Sequence, residues 1–522
     1  MRAVAAATGP APFARNAPRT EVSHRGCTEV APHLRCRYDG RVRILLWFRK
    51  DLRLEDNTAL HEAARDAGDD IVPFYASEPS LLAREDMAAV RVRFVLDSLT
   101  ELSEAIRRTG SHLALDHGEA IDTVVRAAQA ARADAMYWND EYEPALIARD
   151  AAVERVLRAA GIAVKRFDDR LLVPPGAVAS GSGTPFVVYT PFRKACERLP
   201  IGSPLPTVER FAQHALPERS LGTLERLGFV SHQEHWPGGT RAAHRRVRRF
   251  IGGTGAEPGS GLLLYATHRD FPAVPAISRL SADLKFGTLS PRQIVRNVED
   301  ALAADPRLAG AADKYVQELR WRDFYAHVMF HFPHCEHTAF RARYAGLAWE
   351  NDPIRFEAWR AGRTGYPIVD AGMRELAQSG FMHNRLRMIV ASFLTKSLLV
   401  DWKLGERHFM RHLIDGDLAS NNGGWQWASS TGTDSQPYFR IFNPTLQGER
   451  FDAEGAYVRR WVPELAKVPA KWIHRPWEAA PLELAAAGVT LGEQYPAPIV
   501  DHHTQRDRAL AMFQAMDRVA AP

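Results

Sequence analysis

"RILLWF" (residues 43–48) decides the fold of the first third of this chain. After Arg43 the run is wholly apolar, with no alternation of polar residues. That is the pattern of a strand buried on both faces, as in a parallel sheet. "IVPFYA" (71–76), "HLALDHG" (112–118), "AMYWN" (135–139) and "AVKRF" (163–167) read the same way. Between them lie Ala-rich stretches with helical spacing, such as "MAAVRVRFVLDSLTELSEAIRRTG" (87–110), which ends on Gly110 at a C-cap position. Strand–helix alternation of this length predicts an α/β domain, a Rossmann-like parallel sheet with helices on both faces. No G-x-G-x-x-G follows the first strand, so the nicotinamide-type fingerprint is absent.

Outward from this core the character changes. Residues 1–40 are rich in Ala, Arg and Pro and lack the continuous apolar core of a secretory signal. They read as a disordered tail or a start assigned too early, with an Arg-rich transit peptide as the weaker alternative. Residues 171–240 are rich in Pro, Gly and Ser and read as a connector. From 241 to 505 strand-like runs almost vanish, and helices broken by Gly and Pro predict an all-α domain. The division expected is therefore 1–40, 41–170, 171–240 and 241–505.

The 522 residues suffice for two or three domains. No run of 18 apolar residues occurs, so no membrane span is expected. The net charge of +5 says little, because six arginines against three acids in residues 1–40 supply most of it. Four cysteines (Cys27, Cys36, Cys196, Cys335) form no CxxC or metal-type spacing, which reads as free thiols in a reducing, cytoplasmic setting.

"DGDLASNNGGWQWASSTGTD" (415–434) sets Trp425 and Trp427 in a polar run. An isolated W-x-W is more often a core pair beside a turn. Asp415, Asp417, Asn421 and Asn422 beside the rings suit a flat, hydrogen-bonding heteroaromatic ligand, and Gly423–Gly424 predict a bend. "ELRWRDFYAHVMF" (318–330) places Glu318, Trp321, Arg322 and Tyr325 on one helical face, a poor core face and a good cavity wall. "GFMHNRLRMIVASF" (380–393) adds Asn384 and Met388, four apart at a helix start.

These motifs, with "LLWFRKDLRLEDNTAL", "SRLSADLKFGTLSPRQ", "GRTGYPIVDAGMREL" and "YFRIFNP", are in the order seen in the photolyase/cryptochrome family. The chain resembles that family from about residue 41 to 500, most closely its class I cyclobutane pyrimidine dimer photolyases. The resemblance implies a folded FAD in the helical domain, held by Tyr265, Ser278, Leu280, Ser281, Arg322, Asn384, Arg387, Asp415, Asp417 and Asn421. Arg387 opposite Asp415 would form a charge pair beside an anionic reduced flavin. Ile277, Tyr315 and Phe381 depart from the pattern, where Thr, Trp and Trp are common; Ile277 removes one hydroxyl.

The same resemblance implies blue-light-driven repair of cyclobutane dimers in UV-damaged DNA by a monomer. Excited reduced flavin would pass an electron to a flipped-out dimer, which returns it after the ring opens. Trp321 and Trp427 match the aromatic clamp on the dimer. Glu318 and Asn384 match its hydrogen-bonding partners, with Glu318 expected to be buried and to act as a donor, and Met388 packs on it. Trp425, Trp402 and Trp349 match an electron-transfer chain to the surface. Arg269, Arg385 and Arg440 match contacts to phosphates or the pocket rim. Of two basic runs, 385–411 is preferred over "RAAHRRVRRF" (241–250) as a phosphate track. The rival is a cryptochrome that signals without repair. Against it, Asn384 stands where plant-type cryptochromes carry Asp, and Met388 argues against DASH-type proteins. His383–Asn384 replaces the paired histidines of (6–4) photolyases. For an antenna pigment in the first domain, Ala145, Leu146 and Glu336 stand where folate-binding members carry Asn, Glu and Lys. An 8-hydroxy-deazaflavin, with Glu141 as a candidate contact, is favoured over methenyltetrahydrofolate; FMN or an empty site are the alternatives.

Overall fold

The computed structural model describes residues 42–220, 222–252 and 261–519. The expectation for residues 1–40, with Cys27 and Cys36, lies outside them. Five parallel strands, β1 (Ile44–Phe48), β2 (Ile71–Ser77), β3 (Ala114–His117), β4 (Ala135–Asn139) and β5 (Ala163–Phe167), form one sheet in the order β3-β2-β1-β4-β5. The crossovers carry α1 (Thr58–Ala67), α2 (Ala89–Arg107), α3 (Ala120–Ala130) and α4 (Pro144–Ala159). Strand alternation splits β1 between two cores. Leu45 and Trp47 pack with α3 and α4, whereas Ile44, Leu46 and Phe48 pack with α1 and α2. The chain leaves β1 in one direction through β2 and β3, then returns to lay β4 on its other side. The carboxyl ends of β1 and β4 thus flank a topological switch point, where open α/β sheets bind ligands.

Beyond β5 no further strand joins the sheet among the described residues, and the chain becomes helical. The elements that build the site are α5 (Ser281–Phe286), α6 (Ala309–His331), α7 (Asn384–Ser392), α8 (Trp402–His412) and α9 (Leu418–Ser429). A π-helical turn, Phe393–Ser397, extends α7. Short polar side chains start three of these helices. His383 caps α7, Asp401 caps α8 and Asp417 caps α9, each accepting a first-turn backbone N–H. No helix among the described residues is long and apolar enough to cross a membrane.

Residues 171–240 are more than a spacer. The Leu115 N–H donates to Pro217 O (2.9 Å) and the Arg219 N–H to Leu115 O (3.1 Å), so the segment runs along the β3 edge. Its helix Tyr189–Cys196 packs against α6.

The two halves meet at a buried ionic knot. Arg53 is 1% exposed and donates to Asp169 (2.5 Å) and to Gly287 O (3.1 Å). Arg292 donates to Asp169 (2.9 Å) and to both oxygens of Asp56 (3.0 and 3.1 Å). Gly287 is left-handed (φ +64°), and a Cβ there would lie 2.5 Å from Asp51 Cα, so this crossing requires glycine. Removing one partner from a buried pair leaves an uncompensated charge, a loss of about 3–5 kcal/mol. Arg53→Met should lower stability by that amount in urea unfolding; a loss under about 1 kcal/mol would show that Arg292 alone holds the knot.

Candidate active site

Helices α5 to α9, the short helix Leu262–His268 that carries Tyr265 and the loop around Asp415 surround a cavity of about 510 Å³. Every residue expected to hold the flavin lines it: Tyr265, Ser278, Leu280, Ser281, Arg322, Asn384, Arg387, Asp415, Asp417 and Asn421. Glu318, Trp321, Met388 and Trp427 line it too, with Arg269 and Trp425. Glu318, Trp321, Arg322 and Tyr325 reach it from one face of α6, as their spacing of three and four predicts.

The stretch 415–434 does not bend at its glycines. Leu418–Ser429 is one continuous helix, closed by Ser430 in the left-handed region (φ +67°). Gly423 serves close packing: a Cβ there would run into the Tyr325 ring of α6. Gly405 does the same for α8, since its Cβ would strike the Trp425 indole. Trp425 is buried at the cavity wall and Trp427 is half-buried. Trp402 is buried in the same apolar cluster as Trp425, and half-buried Trp349 packs against that cluster. Trp359, 6.0 Å from Trp425, also belongs to it.

The charges in the cavity are mostly matched. Arg387 donates to both oxygens of Asp415 (3.0 and 2.8 Å) and to Met382 O (2.8 Å), the pair the sequence suggested. Arg322 donates to Arg170 O (2.5 Å) and Leu284 O (3.1 Å), tying α6 to the first domain and to α5. Neighbouring cations, foremost Lys285, hold the Asp417 carboxyl below its ordinary range despite burial.

Three expectations change. Glu318 is one-third exposed rather than buried, and its carboxyl group accepts from Arg269. Arg385 is paired with Asp270 (2.9 Å) and lies over Phe451 rather than standing free. The run 385–411 is not one basic surface: Lys396 is fully buried, donating to Ser429 O (3.2 Å) and Ser430 Oγ (3.0 Å), and Arg387, Lys403 and Arg411 face acids. Arg440 is exposed, beside Phe439 at 59% exposure.

Other residues of the site escaped the sequence reading. Tyr189 stacks on Trp321 at 3.7 Å and 11°, with its hydroxyl on Gln317 O (2.6 Å), and so fixes that indole's plane. Arg279 and Lys285 line the cavity with no ion pair or hydrogen bond from their side chains among the described residues. Arg279 lies over Trp236 and Phe381, in the left-handed region (φ +55°). Tyr315 is buried, and its hydroxyl reaches Ser278, putting a hydroxyl near the position that Ile277 leaves apolar. The cavity thus has an indole and apolar walls for a ring, hydroxyl and amide groups for its edges, and two unpaired cations for an anion. That donor set fits FAD.

A second, smaller cavity of about 170 Å³ opens at the switch point of the sheet. Arg49, Lys50, Glu141, Glu143 and Arg149 line it with Leu81, Leu96, Leu146 and Phe286. Lys50 reaches Glu143 (2.5 Å) and Glu141 (3.3 Å), and Arg170 reaches Glu141 (2.5 Å). Leu146 makes this wall apolar, and Ala145 is exposed.

Comparison with known proteins agrees with this geometry. Residues 44–209 match the family model described as DNA photolyase, and residues 315–515 match the FAD binding domain of DNA photolyase. The chain is 42% identical to the deoxyribodipyrimidine photo-lyase of Escherichia coli over 487 residues, 90% of this chain and 98% of that one. A class III photolyase from Agrobacterium tumefaciens shares the fold with a TM-score of 0.83 and 38% identity, covering 94% of this chain and 100% of its own. A cryptochrome from Synechocystis follows at 0.82 and 29%, covering 90% and 99%. With family models matched in both of its halves and a relative 42% identical over 90% of its length, the chain belongs to the DNA photolyase family.

Proposed function

We propose that this protein is a deoxyribodipyrimidine photo-lyase, a monomeric cytoplasmic enzyme that uses blue light to open cyclobutane pyrimidine dimers in DNA. The observation that carries the reading is the single cavity in which the flavin-type residues and the dimer-type residues share one wall. In this reading residues 41–170 hold an antenna pigment, 171–240 connect, and 241–505 hold FAD and meet DNA. FAD, when bound in its reduced anionic form, supplies the light-driven electron that opens the ring and then returns.

The chain's own residues set the conditions for that step. Arg279 and Lys285 offer charge to the ligand's phosphates and ring. The Arg387–Asp415 pair and Asn421 would help hold the flavin ring. Trp321, held flat by Tyr189, and Trp427 replace the stacking that a dimer loses on leaving the duplex. Glu318, bound by Arg269, and Asn384 offer hydrogen-bonding groups to the edges of the bases. Met388 fills the space against the bases, its thioether soft enough to follow their shape. Arg269, Arg385 and Arg440 meet the backbone, Arg385 by exchanging Asp270 for a phosphate. Trp425, Trp402 and Trp349 step from the cavity wall through the core to the surface, a route for electrons to oxidised flavin. The second cavity, at the switch point with Glu141 in its wall, takes the antenna. Leu146 in that wall favours an 8-hydroxy-deazaflavin over methenyltetrahydrofolate.

The deciding assay mixes flavin-reduced protein with a duplex carrying one thymine dimer and counts restored thymines in blue light and in the dark. Light-dependent restoration is expected; none, with reduced FAD bound, would turn the reading to a signalling cryptochrome. Base–aromatic stacking is worth about 1–3 kcal/mol. Trp427→Ala should therefore weaken damaged-DNA binding roughly 5- to 150-fold while its flavin absorbance is retained, and unchanged affinity would remove Trp427 from the clamp. Trp402→Phe should slow photoreduction of oxidised flavin at least about tenfold yet leave repair intact once the flavin is reduced chemically, since one tenfold step is about 1.4 kcal/mol of barrier. Photoreduction at the wild-type rate would place the electron route elsewhere, with Trp359 the next indole from Trp425.

A further inference from the structure

The two cavities are separated by a thin wall made of α5 and the segment 410–417. Leu284 and Asp417 face the first cavity, and Phe286 and Gly416 face the second. Lys285 lines both. It is 7% exposed, and among the described residues no carboxylate pairs with it and no acceptor takes its protons; its ammonium lies 5.6 Å from the centre of the Phe286 ring. The charges around it are committed elsewhere. Glu143, on the second-cavity side, is bound by Lys50 at 2.5 Å. Asp417, on the first, accepts the Ser420 N–H at 3.0 Å as the cap of α9. Arg91, the further cation nearby, spends its guanidinium on Met410 O and Leu413 O. A buried ammonium without a partner is costly, and the cost is relieved by an anion placed in reach. Burial accordingly draws the Lys285 amine down to about 8, with Lys50 adding to the fall and Glu143 opposing it, so at neutral pH the amine is still largely protonated.

We propose that Lys285 is a shared counter-cation that couples the two cavities, drawn on by an acidic heteroaromatic in the second and by the reduced flavin in the first. This rests on the flavin and antenna assignments made above. One positive charge serves two anions, so each weakens the other's hold. Reduction of the flavin to its anion loosens an anionic occupant of the second cavity, and by linkage that occupant makes the flavin harder to reduce by the same factor. A neutral occupant exerts no such effect.

The test uses the full FAD-loaded chain titrated with 8-hydroxy-5-deazaflavin, whose acidic ring hydroxyl makes it the anionic probe. Binding is read from quenching of the probe's fluorescence, once with the flavin oxidised and once with it reduced under anaerobic conditions. The flavin midpoint potential is measured with and without the probe. The wild-type protein should bind the probe about fivefold or more weakly when the flavin is reduced, the lower end of ordinary coupling, and its midpoint should fall when the probe is bound. Lys285→Met should bind the probe more weakly in both states, lose the redox dependence, and show a lower midpoint without any probe; Lys285→Arg should keep the dependence. Equal affinity in the two redox states of the wild type, or redox dependence surviving in Lys285→Met, overturns the coupling while leaving the antenna site standing. No uptake by the wild type in either state overturns the antenna assignment and the coupling with it. The wild-type comparison needs no variant, so the test holds even if Lys285→Met does not fold.

Discussion

Two guanidinium groups buried against two carboxylates fix the relation between the halves of this molecule. Arg53 and Arg292 come from opposite sides of the interface and meet on Asp169, while Asp56 engages Arg292. Desolvated charges of this kind are poor sources of net stability, because the loss of hydration offsets much of the attraction. Their geometry is demanding, however, since each carboxylate oxygen and each N–H must find its partner. The knot therefore specifies one docking of the halves. Leu52, one residue from Arg53, donates its N–H to Phe286 O (3.2 Å), and the glycine crossing at 287 follows directly. The placement of α5, and so of Ser281, Leu284 and Lys285, is a consequence of how charge is satisfied some residues away.

The rings of the cavity are placed by contacts of the opposite kind, where a side chain is missing. Gly423 brings α9 against Tyr325, and Gly405 admits Trp425 between α8 and α9. Each glycine costs helix stability relative to alanine, roughly 1 kcal/mol, and is tolerated because the helices pack on a large apolar core. The result is a rigid frame in which Trp425 and Trp427, two positions apart on one helix, both reach the cavity wall. A bend would have supplied the same reach at the loss of the α9 hydrogen bonds.

Local periodicity carried the parts of this structure that the sequence made legible. β1, β2 and β4 were readable because a parallel sheet buried on both faces leaves continuous apolar runs, a signal weaker in the edge strands β3 and β5, and the face of α6 was readable because acids and indoles at spacings of three and four are rare in cores. What stayed hidden depends on partners distant in sequence. Gly423–Gly424 suggests a turn until Tyr325 is known to lie across it. The arginines and lysines of 385–411 look like a surface until Lys396 is found in the core. Residues 171–240 look like a tether, since nothing local shows that Tyr189 will stack on Trp321. The partner of Glu318 could not be read at all, because Arg269 lies 49 positions away.

Pairing then separates structural charge from functional charge. Lys396 is more deeply buried than Lys285, yet it gives its protons to Ser429 and Ser430 and lies 3.7 Å over the Phe513 ring. Burial pushes its amine well down, and the protein itself meets the demand of whatever charge remains. Arg53, Arg292 and Arg387 are likewise answered within the chain. Arg279 and Lys285 are the two lining cations of the large cavity that are not, among the described residues. A buried cation without an internal counter-charge is costly, so at Lys285 the absence of an internal carboxylate, more than the presence of charge, marks where an anionic ligand belongs.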